Sequence, residues 1–141
     1  MKKICMINQV AMAAAFLEVH AAPIQSYQEL TAAIQDGKRL VFLLNLQECT
    51  GKPGMPIGYF TPTEIMLMPA SETLPERVVT SFLHFTEQSG KPVYEFVKFI
   101  LNSDGTIAIR TAFYNPQNFE AIGLPHTLNC RMGEGIEIQA D

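Results

Sequence analysis

The sequence predicts an α+β domain in which an N-terminal helix packs on a mainly antiparallel β-sheet meander, with a curled or barrel-like sheet as the architectural alternative. Three observations carry this. Ser26 to Gly37 reads as one capped amphipathic helix. Three apolar segments between Val78 and Tyr114 read as consecutive strands, and the connections between them are short enough for hairpins.

The chain has 141 residues, of which 48% are hydrophobic and 17% charged. That suits a single domain with one substantial core, since two domains of this total length would each be too small. At its start, Met1-Lys2-Lys3 is basic, and Ile4 to Leu17 is apolar apart from Asn8 and Gln9. This is the pattern of a secretory signal, too short for the roughly 20 residues of a spanning helix. Val19 and Ala21 are small residues at the −3 and −1 positions of a cut between Ala21 and Ala22. The expected organisation is therefore a signal peptide over 1–21 and one domain over 22–141, with no stable membrane anchor after processing. The expected location is the periplasm or the exterior. Removing the leader leaves 8 basic against 13 acidic residues, so the net charge moves from −4 to −5. That balance argues against a nucleic-acid partner.

Export also changes the reading of the cysteines. Cys5 departs with the leader, leaving Cys49 and Cys130, and two cysteines in an oxidising compartment are expected to pair. In the chain-entropy model a loop of that span is worth about 4 to 5 kcal/mol. The competing reading, a reactive Cys49 with His84 as its base, needs a free thiolate and has no local signature.

In chain order, Ser26 and Glu29 have the spacing of a capping box, and Leu30, Ala33 and Ile34 give the following helix, Tyr27 to Gln35, its apolar stripe. Asp36-Gly37 ends it. Leu40 to Leu46 is too short and too continuously apolar for another helix and reads as a buried strand. Cys49 to Gly58 holds three glycines and two prolines and reads as a loop. Its Gly51-Lys52-Pro53-Gly54 lacks the spacing of a phosphate loop. Tyr59 to Met68 reads as a strand broken near Pro62, and Pro69 to Arg77 as a connecting turn.

Strands are then expected over Val78–Thr86, Val93–Leu101 and Thr106–Tyr114. Asn102-Ser103-Asp104-Gly105 suits a type I turn ending in a left-handed glycine, which fixes the register. Leu101 then faces Ile107, Phe99 faces Ile109, Val97 faces Thr111 and Glu95 faces Phe113, giving one apolar face. On the other face Ile100 meets Ala108, Lys98 meets Arg110, Phe96 meets Ala112 and Tyr94 meets Tyr114. Asn115-Pro116 ends the hairpin. A short helical turn around Gln117–Ala121 and a last strand over Ile136–Ile138 complete the chain.

These residues also resemble a known family. Cys49-Thr50, His84-Phe85-Thr86, Gly90 with Pro92-Val93 and Glu95-Phe96, Asp104-Gly105, and Cys130 followed by Gly133 and Gly135 together resemble the VirK family of small exported, virulence-associated bacterial proteins. The resemblance implies export and a link to host interaction. It implies no known catalytic activity, and the family's function is itself undetermined.

The residues supply little catalytic chemistry of their own. The domain has two histidines, His84 and His126, and no ligand cluster at metal spacing, so neither a metal nor a cofactor is expected. The serines lack a glycine-flanked elbow. A secreted hydrolase with carboxylate chemistry is the alternative function, and it requires Glu95, Glu64 and Glu87 to converge. The leading function is a non-enzymatic binding or effector-type protein, with a host or envelope protein or a saccharide as partner. The candidate binding surface is His84, Tyr94, Lys98, Arg110 and Tyr114. There tyrosines offer stacking area beside two cations that repel unless an anion lies between them. The bland alternative is a solvated sheet face with Lys98 or Arg110 paired to a glutamate on a neighbouring strand.

Overall fold

The computed structural model describes residues 21–141, and the expected leader, but for Ala21, lies outside the described residues. The elements are β1 (Ala22–Ile24), α1 (Tyr27–Gln35), β2 (Leu40–Asn45), α2 (Leu46–Thr50), β3 (Ile57–Phe60), β4 (Ile65–Met68), β5 (Arg77–Gln88), β6 (Lys91–Asn102), β7 (Thr106–Tyr114), β8 (Ala121–Met132) and β9 (Gly135–Ala140). All the strands join one sheet in the order β3-β2-β9-β8-β7-β6-β5-β4, with β1 also paired to β9.

The helix follows its local signals. Ser26 accepts a hydrogen bond from the Glu29 amide at 3.2 Å, while the Glu29 carboxylate reaches back to the Gln25 amide at 2.7 Å. At the other end Gly37 takes φ 68°, and the amides of Gly37 and Lys38 bond the Ile34 and Ala33 carbonyls, a Schellman ending. Tyr27, Leu30 and Ala33 bury the inner stripe in the same cluster as the sheet's apolar residues, so the helix does pack on the sheet.

The meander formed by β5 to β8 is antiparallel, as is nearly all the pairing, the exception being a two-residue parallel contact of β8 with β9. The sheet is curled into a half-barrel. Phe60, on the edge strand β3, places its ring 5.1 Å from Phe82 of β5 and 4.7 Å from Phe99 of β6, near the opposite edge of the sheet. Only strong coiling brings these strands together, and the aromatic cluster fills the concave side. The core lies there, with Leu30, Phe42, Leu101, Ile136 and Ile138 fully buried.

Three expectations change. The fold is mainly β, with the curled sheet that stood as the alternative and the helix packed on it, because the segment after Ala121, which carries no sequence assignment, is the 12-residue strand β8. The helical turn expected around Gln117–Ala121 reduces to one α-turn, closed by the Phe119 amide on the Asn115 carbonyl at 2.9 Å, after which β8 starts at Ala121. The segment read as one broken strand is two, β3 and β4, at opposite ends of the sheet path.

Cys49, in α2, lies beside Cys130 of β8 with Cα atoms 4.8 Å apart, at disulfide distance. This pair ties the first half of the chain to β8.

Candidate functional site

The hairpin of β6 and β7 has the register its turn dictates. Gly105 takes φ 82°, its amide bonds the Asn102 carbonyl at 3.0 Å, and Asp104 accepts from the Thr106 amide at 2.9 Å. The Thr106 hydroxyl also donates to Asp104, at 2.6 Å, and this bond, with the amide bond after it, holds the Asp104 carboxyl below its ordinary value. The consequence is that Lys98 stands opposite Arg110, Tyr94 opposite Tyr114, and Phe96 opposite Ala112, all on the convex face. Lys98 is half-buried and Arg110 exposed. Among the described residues the close contacts between basic and acidic side chains are Arg39–Asp141 and His84–Glu95, and neither involves Lys98 or Arg110.

His84 does not join this surface. Ser89 and Gly90, at φ 51° and 75°, form a two-residue turn, so Gln88 pairs with Lys91 and the register sets His84 opposite Glu95 and Phe85 opposite Tyr94. An even loop of two residues puts odd positions of β5 on the face of even positions of β6. His84 therefore points to the concave side, where its Nε2 lies 3.0 Å from Glu95 Oε2 and its ring 5.5 Å from that of Phe82. Its place on the convex face is taken by Phe85.

A second feature escaped the sequence reading. Between β7 and β8 the register jumps, since Thr111 pairs with His126 but Phe113 with Ile122. Gly123-Leu124-Pro125 thus bulge away opposite Ala112, and Leu124 at the apex is 84% exposed. The gap is a depression of about 260 Å³ lined by Phe96, Lys98, Arg110, Thr111, Ala112, Tyr114 and Pro125. Beside it, Tyr94 carries Phe119 stacked at 5.3 Å and 14°, with Phe85 edge-on at 5.6 Å. Phe119 holds φ 58°, a left-handed conformation costly for an aromatic residue, and its ring is 60% exposed. Glycine and proline in the bulge were visible in the sequence, but a bulge cannot be told from a loop without the neighbouring strand.

The three acids that the hydrolase alternative requires are not brought together. Glu95 faces the concave side, whereas Glu87, three residues beyond His84 on β5, shares the parity of Phe85 and faces the convex side. Glu64 precedes β4, and its carbonyl accepts from Thr80 Oγ1 at 2.7 Å. The three acids thus do not share one face. Cys49 is beside Cys130, not His84. A larger cleft of about 480 Å³ between the hairpin tips is lined by Gln88, Ser89, Lys91, Pro92, Val93, Asn115, Pro116, Gln117 and Ile122, with no acid, histidine or cysteine. Among the described residues no three His, Cys, Asp or Glu side chains are grouped to hold a metal.

Comparison with known proteins places this architecture. The family model described as VirK protein matches residues 23–119. The crystal structure of lpg1832, a VirK family protein from Legionella pneumophila, superposes with a TM-score of 0.73 at 32% identity, covering 84% of this chain and 98% of that one. An uncharacterised protein of Sinorhizobium fredii, y4wH, is 24% identical over 112 residues, 79% of this chain and 77% of the relative. With a family model spanning most of its fold and a solved member sharing that fold, this chain belongs to the VirK family.

Proposed function

We propose that the protein is an exported, virulence-associated binding protein of effector type, without catalytic activity, that engages an anionic partner through the convex face of its sheet. The single observation that carries this reading is the pair Lys98 and Arg110, adjacent across β6 and β7 with no carboxylate in ion-pair contact among the described residues. Two like charges in register are unfavourable by a few tenths to about 1 kcal/mol unless an anion lies between them. The depression over Ala112 opens beside this pair, with the Tyr114 and Phe96 rings in its lining.

Export is part of the same proposal. The basic start and apolar run supply a leader, and the first strand, β1, begins at Ala22, so a cut after Ala21 leaves every described element whole. Sequencing the exported protein is expected to begin at Ala22, and intact Met1 in the periplasm overturns this.

The binding reading is tested by passing host and bacterial extracts over wild type and the Lys98→Gln/Arg110→Gln variant. A partner retained by wild type and lost by the equally stable variant supports it. Equal retention by both removes this face from consideration.

A further inference from the structure

Taking the convex face as a binding site, we propose that its occupant is a polypeptide segment of another protein, apolar along its middle and acidic at one end. Three successive rows across the strands carry the argument. Lys98 and Arg110 form the first, Leu83 and Phe96 the second, and Phe85, Tyr94 and Tyr114 the third. Alternate residues on a strand are about 6.8 Å apart, so the face grades from cationic to aromatic over about 14 Å.

The apolar part of this face is aliphatic as well as aromatic. Leu83 is 50% exposed, Phe85 63% and Phe119 60%. A saccharide stacks on ring faces and hydrogen-bonds to hydroxyls, and it leaves Leu83 in water. A protein segment covers both kinds of side chain, and clustered exposed apolar groups beside an arginine are the composition of a protein-binding surface.

Charge separates a polypeptide from an anionic bilayer. Glu87, exposed, follows Phe85 by two residues on the same face, and the chain carries a net charge of −4. A uniformly negative membrane attracts Lys98 and Arg110 but repels Glu87 and the molecule as a whole. A polypeptide places carboxylates over the cations and leaves the Glu87 end neutral or basic. Phe119, stacked on Tyr94 in a left-handed backbone, keeps its ring presented before any partner arrives, which lowers the entropy lost on docking.

The test pans phage-displayed random dodecapeptides against the purified exported protein, with phosphatidylglycerol–phosphatidylethanolamine vesicles and polygalacturonate as parallel probes. The expected result is a consensus of large apolar residues followed by Asp or Glu. A synthetic peptide of that consensus should bind about tenfold or more weaker to Lys98→Gln/Arg110→Gln and, independently, to Leu83→Ser, with the melts of both variants close to wild type. Failure to enrich such a consensus, or equal binding by the leucine variant, overturns the proposal. So does self-association in sedimentation equilibrium that the leucine variant abolishes. If vesicles or polygalacturonate bind instead and the Lys98/Arg110 variant abolishes that binding, the face is an anion site with a different occupant. If the Lys98/Arg110 variant alters no binding at all, the face itself is the wrong site.

Discussion

Lys98 of β6 and Arg110 of β7 are direct cross-strand partners on the convex face of the sheet, and no ion pair among the described residues neutralises either one. Replacing both with glutamine relieves a like-charge contact and orphans no carboxylate. The double variant is expected to melt at the wild-type temperature or slightly above it, a gain of a few tenths to about 1 kcal/mol. Thermal denaturation checks this, and a clear loss would mean that an internal carboxylate depends on these cations.

Cys49 and Cys130 are 81 residues apart in sequence and adjacent in space. In the chain-entropy model, Cys49→Ser/Cys130→Ser should lower unfolding stability by about 4 to 5 kcal/mol. Urea titrations with and without reductant test the magnitude. Alkylation of the non-reduced protein followed by mass spectrometry tests the pairing, and two labelled cysteines would refute it.

Gly135 begins β9 at φ 82°, and a Cβ placed there meets the Cys49 sulfur and lies 3.1 Å from both the Asn45 carbonyl oxygen and the Cys49 amide nitrogen. Gly133 has nearly the same conformation, φ 80°, with open space around it. Gly133→Ala should cost about 1 to 2 kcal/mol from the left-handed backbone alone. Gly135→Ala should cost about 1 to 3 kcal/mol more, from the crowding. Equal losses for the two variants in chemical denaturation would show that the contact with α2 is not tight.

Tyr27 buries its hydroxyl in the core without a hydrogen-bond partner. Tyr27→Phe is therefore expected to be neutral or to stabilise the fold by about 1 kcal/mol. Burial first, then the negative charge of Glu76 and a hydroxyl contact with its carboxylate that falls short of hydrogen-bond geometry, hold the Tyr27 phenol above its ordinary value. The fold favours the protonated phenol, so this contribution is complete below about pH 10 and is lost as the pH rises towards the folded-state value. Denaturation across the alkaline range should show wild type losing more stability than Tyr27→Phe, and parallel curves would refute the assignment.

What the sequence by itself determined is what short-range geometry dictates. Ser26 and Gly37 bound the helix because cap residues satisfy end groups a few positions away, and the Asn102–Gly105 turn alone placed Lys98 against Arg110 and Phe99 against Ile109. The Ser89–Gly90 turn was equally local, and its two-residue length held the parity that moves His84 to the concave face. The tertiary structure alone decided the rest. β8 contains Gly123 and Pro125 and is exposed along most of its length, so no hydrophobic period marks it, and its pairing with β7 makes it a strand. α2 is five residues long, far too short to be stable in isolation, and it packs against β8 and β9 with Cys49 beside Cys130. β1 exists because Ala22–Ile24 finds the edge of β9 more than a hundred residues later. The curl that brings Phe60 to Phe82 and the bulge that presents Leu124 depend on contacts between distant segments, whose closure no local pattern of residues encodes.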